Sequence, residues 1–200
     1  MAPTPYRTLD SPGEAMFRVK GSRFIGRVSP VSDVAAADEI RDTITAEHPD
    51  ATHVVPAYRI RDNPLREYQD DAGEPGGSAG PPMLNVLQGE ELVNVLAIVV
   101  RYYGGTNLGI GGLVRAYSTA VKRALADTDI VERSPHARFT ITIDYADSGA
   151  VRSILAGSDA SFDAEYAEHV VFDVAVPVGA HDALRDRILS ATSGRATFVD

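Results

Sequence analysis

The sequence predicts a mixed α/β (α+β) protein of two domains, and three observations carry that expectation. Its 200 residues are enough for two small domains, each with a core of its own. A break rich in proline and charge, "ERSPHARF" at Glu132–Phe139, divides two patterned regions. Beyond the break the order is strand, helix, strand, strand, helix, strand, which is the ferredoxin-like βαββαβ arrangement. The expected domains are residues 1–131 and 132–200.

In the first region "AMFRVKGSRFIGRVSPV" reads as two strands about Gly21 and Ser22. "SDVAAADEIRDTITAEH" follows as a helix capped by Ser32 or Asp33, with Ala37, Ile40 and Ile44 inward. "THVVPAYRI" is a strand, and "LVNVLAIVVRYY" a second one, apolar on both faces and therefore central. Pro81 and Pro82 open a short helix at Met83 and Leu84. The clearest helix places Leu113, Ala116, Tyr117, Ala120, Val121, Ala124 and Leu125 on one face, with Arg115 and Lys122 on the other.

In the second region Phe139, Ile141, Ile143 and Tyr145 alternate with polar residues as a half-buried strand. Ser148 is the expected cap of a helix that buries Val151, Ile154 and Leu155. Phe162, Ala164 and Tyr166 mark the next strand, and Phe172, Val174 and Val176 the one after it. A helix with Leu184, Ile188 and Ala191 inward closes at Gly194, and "RATFVD" ends the chain as a strand.

Composition narrows the function classes. The chain has no cysteine, which excludes thiol catalysis and Cys-ligated metal sites. "LVNVLAIVV" is too short to span a membrane, and the first residues lack the pattern of a secretory signal, so a cytoplasmic protein is expected. Net charge is −9, the basic residues are nearly all arginine, and Lys20 and Lys122 are the only lysines. Aspartate-rich, lysine-poor surfaces suit concentrated salt, so a halophilic source is expected. Cations retained against that background carry the most information.

Two loops stand out. In "VVRYYGGTNLGIGGLVRAYS" a buried strand meets Gly104, Gly105, Gly109, Gly111 and Gly112 and then a helix. Such a turn presents backbone N–H groups to an anion, with Arg101 before it and Arg115 after it as candidate phosphate partners. The spacing matches neither a Walker loop nor a Rossmann fingerprint, and a tight structural turn explains the glycines equally well. The other loop, "QDDAGEPGGSAGPPML", gathers Asp70, Asp71 and Glu74. These carboxylates suit a divalent cation, a general base, or only a solvated loop. His53 reads as a hydrogen-bonded strand residue. Tyr102 and Tyr103 beside Arg101 are candidates for stacking on bases, or else one is buried and one exposed by strand alternation.

Taken together, "KGSRFIG", "ATHVVPAYRI", "DDAGEPGGSAGPPML" and "VVRYYGGTNLGIGGLVRAYS" resemble the YigZ/IMPACT family in order and spacing. The resemblance implies a first domain similar to the second domain of a small-subunit ribosomal protein. It implies a second domain similar to a translocation elongation-factor domain. Eukaryotic members act in translational control, and for prokaryotic members the resemblance implies association with nucleic acid or the ribosome. Carried onto this chain, the motifs point to Arg101, Gly104, Gly105, Gly109, Gly111, Gly112 and Arg115, and to Asp71, Gly73, Glu74, Gly77, Ser78 and Gly80. Asn107 stands where the family often has lysine, Tyr103 where phenylalanine is usual, Ala72 for an aspartate, Pro81 for a basic residue and Ser78 for threonine.

The expected function is therefore a cytoplasmic regulatory protein of translation that binds RNA or the ribosome, with a protein of the translation machinery as a further partner. No catalytic residue, metal or cofactor is expected. The alternatives are an enzyme that holds a phosphorylated small molecule in the glycine loop, with Asp71 or Glu74 as base, and a docking module without a small ligand.

Overall fold

The computed structural model describes residues 5–199, and the chain divides into two compact units, the first spanning Tyr6–Arg133 and the second starting at Ser134. The first unit opens with β1 (Tyr6–Leu9), β2 (Gly13–Val19) and β3 (Ser22–Pro30). The hairpin between β2 and β3 turns through Lys20 and Gly21, both at positive φ, as a two-residue loop requires. Helix α1 (Val34–Glu47) follows, capped by Asp33, which accepts from Ala36 N–H at 2.9 Å. The chain continues through β4 (His53–Ile60), β5 (Arg66–Gln69), α2 (Gly80–Gly89), β6 (Val95–Tyr102), α3 (Ile110–Leu125) and β7 (Ile130–Arg133).

Five strands form one antiparallel sheet in the order β2-β3-β6-β4-β5. Strand β6 is central, as its apolar faces predict, and its sides are buried from Val95 to Arg101. Leu96, Ile98 and Val100 pack with Ala37 and Ile44 of α1 on one face of the sheet. Val95, Ala97 and Val99 pack with α2 and α3 on the other, where Met83, Leu87, Tyr117 and Ala120 complete the core. Three strands lie outside the sequence expectation. Strand β5 is exposed throughout, so no hydrophobic alternation announces it. It is held to β4 by Arg59–Glu67 at 2.7 Å and by stacking of Tyr68 on Tyr58. Strands β1 and β7 pair antiparallel across the whole first unit, Tyr6 opposite Arg133. The pairing makes Glu132 and Arg133 part of β7, beyond the expected division after residue 131.

The second unit runs β8 (His136–Ile143), α4 (Ser148–Ala156), β9 (Ser161–Tyr166), β10 (Val170–Pro177), α5 (His181–Ala191) and β11 (Thr197–Val199). Its antiparallel sheet has the order β11-β8-β10-β9, the ferredoxin-like order, and one face packs on Val151, Leu155, Leu184 and Ile188. Two details differ from the sequence expectation. Ser148 forms no capping bond at α4, because its hydroxyl donates to Tyr145 O at 2.7 Å. Ala191 is exposed, since α5 buries only Leu184 and Ile188. Gly194 does close α5, at φ +79° with its N–H on Leu189 O.

Candidate functional site

The two glycine-rich loops meet on one side of the first unit, and Glu74 is the residue that joins them. Its side chain is 2 % exposed and takes Arg101 Nη1 at 2.6 Å and 2.8 Å on its two oxygens. The Tyr117 hydroxyl, from α3, donates to Glu74 Oε1 at 2.6 Å. Burial, reinforced by that bond, drives the Tyr117 pKa far upward, so the phenol stays a donor at any working pH. Arg101 Nη2 reaches Ser22 Oγ at 3.4 Å, and the same hydroxyl accepts from Gly104 N–H at 3.1 Å. Four segments remote in sequence are thereby tied at one buried point: the β2–β3 hairpin, the loop before α2, the end of β6 and the middle of α3. Arg101 is thus an internal partner of Glu74, and its charge is spent inside the protein.

Asp70, Asp71 and Glu74 do not form an acidic cluster. Asp70 accepts from Ala72 N–H at 2.7 Å. Asp71 turns to the start of α2 and accepts from Gly77, Ala79 and Gly80 N–H at 2.7 Å, 2.9 Å and 2.9 Å. Burial raises its pKa, but those backbone donors outweigh it and hold the carboxyl below the ordinary aspartate range. A carboxylate bound this way is a cap and a poor base. Among the described residues no group of His, Asp and Glu is arranged to hold a metal ion. Ser78 is fully buried, and its hydroxyl has no hydrogen-bond partner among the described residues. Gly73, at φ +86°, lies against the His53 ring.

The other loop is open. A Cβ on Gly104 would come within 1.9 Å of the Gly21 backbone, so only glycine lets the loop touch the hairpin. Gly105 is exposed. Gly109 precedes α3 at φ +73° and makes no side-chain cap, and Gly111 and Gly112 occupy the first turn. Arg115 is exposed, and its guanidinium folds back toward Gly111, 3.6 Å from where a Cβ there would stand. It shares a hollow of about 200 Å³ with Phe17, Lys20, Leu108 and Thr119. Arg101 lines a different cleft, of about 480 Å³, with Thr52, His53, Glu74, Tyr103, Asn107 and Ile110. The two arginines that flank the loop in sequence do not flank one cavity.

The tyrosines divide as strand alternation requires. Tyr102 is half-buried, its hydroxyl 2.8 Å from His48 Nδ1 and the Arg23 guanidinium 4.1 Å from its ring centre. Tyr103 is 46 % exposed, and its hydroxyl donates to Asn107 Oδ1 at 3.1 Å. Sequence reasoning missed Ser22 and the polar end of Tyr117, which reads as plain core. It also missed Lys20, whose place beside Arg115 depends on how the β2–β3 hairpin packs on α3.

Among known proteins, an Impact N-terminal domain matches residues 20–125 and a domain of unknown function, DUF1949, matches residues 141–195. The chain is 35 % identical to IMPACT family member YvyE of Bacillus subtilis over 98 % of this chain and 90 % of that protein. It is 35 % identical to IMPACT family member YigZ of Escherichia coli over 84 % of this chain and 83 % of that one. A crystal structure described as that of an hypothetical protein superposes with a TM-score of 0.74 at 30 % identity, covering 98 % of this chain and 96 % of that chain. With both domain matches in order and relatives aligned along nearly its whole length, the chain belongs to the IMPACT family.

Proposed function

We propose that the chain is a cytoplasmic regulatory protein of translation whose first unit binds RNA or the ribosome at the start of α3 and along the cations beside it. One observation carries the phosphate-binding part. Helix α3 bears Arg115, Lys122 and Arg123 and no carboxylate from Ile110 to Leu125, in a chain with 28 acidic and 19 basic residues. Lys20 joins Arg115 in one hollow, and Lys122, the other lysine of the chain, is exposed on α3 two turns beyond Arg115. Among the described residues none of these four cations has an acidic partner. Surface cations without an acidic partner are what a phosphate backbone recruits. Lys122 and Arg123 also suit the helix C-terminus, whereas Arg115 sits toward the positive end of the helix, where the dipole alone gives no reason for a cation. The regulatory role and its place in translation rest on membership of the family. In the second unit the open face of the sheet sets Asp163, Glu165 and Asp173 beside Arg138.

Sedimentation with ribosomes from a salt-matched lysate, with and without RNase, tests this. Wild type is expected to co-sediment, and a folded Lys20→Ala, Arg115→Ala variant to stay in the supernatant. If wild type never sediments at any salt, the proposal is wrong.

A further inference from the structure

We propose that the cleft lined by His53, Glu74 and Tyr103 is a binding site for a nucleobase that carries an exocyclic amino group. Its volume, about 480 Å³, falls within the range of small-molecule sites. The rim is apolar and open: Ile110 is 62 % exposed and Tyr103 46 %. The Tyr103 ring is held before any ligand arrives. Its backbone N–H donates to Thr52 Oγ1 at 2.9 Å, its hydroxyl is fixed on Asn107, and the Arg101 guanidinium stands 5.5 Å from the ring centre. An aromatic ring so anchored loses little freedom when a base stacks on it.

The floor of the cleft defines which base. His53 Nδ1 is 2.8 Å from Ala72 O. A carbonyl only accepts, so Nδ1 carries the proton, and in the neutral form of the ring Nε2 turns a lone pair outward. That atom is 3.8 Å from Glu74 Oε2, too far for a hydrogen bond, and both atoms are acceptors. Glu74 Oε1 already has two donors, whereas Oε2 has only the contact from Arg101, so one lone pair remains. Two acceptors therefore stand side by side with no donor between them.

An amino nitrogen with two N–H groups, placed about 2.9 Å from each, fits across that gap. Adenine, cytosine and guanine carry such a group. Uracil has no amino group: its single edge donor, N3–H, can satisfy one of the two acceptors and sets a carbonyl oxygen against the other. The Glu74 charge is already matched by Arg101, so the gap suits a neutral ring better than a free cation. The base arriving as part of a strand rests on the RNA-binding proposal above, but a free nucleotide presents the same edge.

The experiment has two arms. Fluorescence anisotropy follows labelled eight-nucleotide oligomers of A, C and U at one fixed salt concentration. Proton NMR follows the His53 ring during titration with AMP, CMP and UMP. Expected are about tenfold tighter binding of the A and C oligomers than of the U oligomer, weaker binding of all three in the surface variant Tyr103→Ala, and loss of the A and C preference in His53→Leu. Equal affinity of wild type for the three oligomers overturns the base site and leaves RNA binding standing. If no oligomer binds but AMP and CMP, not UMP, shift His53 saturably, the cleft stands and strand binding falls. If nothing binds in either arm, both fall.

Discussion

Helices α2 and α3 both follow glycine-rich loops, yet their first turns are finished in opposite ways. At α2 the leading N–H groups of Ala79 and Gly80 end on Asp71, and the next two positions, Pro81 and Pro82, have no N–H to offer. Every donor there is either consumed or absent. At α3 the same positions are Gly109, Ile110, Gly111 and Gly112, and no side chain accepts from Ile110 or Gly111 among the described residues. The positive end of the α2 dipole is filled by a carboxylate of the same chain. That of α3 has Arg115 folded over it instead. Glycine content alone does not distinguish an anion site from a turn; what does is whether the chain supplies the anion itself.

The contrast can be broken most forcefully at Glu74. Glu74→Ala strands Arg101 in the core without its partner and should cost about 3–5 kcal/mol in denaturant unfolding, with the end of β6 losing amide protection first. Glu74→Gln, which keeps the shape and some acceptors, should cost less. A loss below 1 kcal/mol for the alanine variant would mean that the buried link does not hold the two loops together.

Asp71→Ala opens the closed helix end and should cost about 1–2 kcal/mol. The pH dependence has a definite sign. The folded-state pKa is lowered, so the stabilisation is present at neutral pH, above the unfolded value of about 3.9. It is lost as pH falls through the lower folded-state value. The stability gap between wild type and Asp71→Ala should therefore narrow below about pH 4. A gap constant with pH would assign the loss to loop packing instead of charge.

Gly111→Asp closes the open helix end. A carboxylate in the first turn beside Arg115, together with removal of a helical glycine, should stabilise by about 0.5–1 kcal/mol while RNA affinity falls. Stability and binding moving in the same direction would count against an anion site at α3. Arg115→Ala is the mildest change. It should leave stability within about 0.5 kcal/mol and lower the slope of log affinity against log salt by about 1.

What the sequence revealed follows from how local the information is. The central place of β6 is written in its two apolar faces, and the α3 core face in an unbroken helical period. The second unit is equally plain, because each of its elements alternates or repeats within its own span. Strands β1, β5 and β7 were hidden, since "YRTL", "REYQ" and "IVER" carry little pattern and owe their structure to partners elsewhere. The site was legible in its positions and not in its contacts. Arg101 looks like a surface phosphate ligand until Glu74, from a loop 27 residues earlier, is seen to claim it. Asp71 and Glu74 look like a pair until the chain turns one toward a helix and the other into the core.

The pairing of β1 with β7 has a consequence beyond stability. Because Tyr6 lies opposite Arg133, the polypeptide enters and leaves the first unit at adjacent points, like a bead threaded through one hole. Whatever is spliced on after Arg133 has only to continue a strand that is already finished. Such a unit behaves as a portable cassette, and exchanging the module that follows it requires no rebuilding of the fold before it.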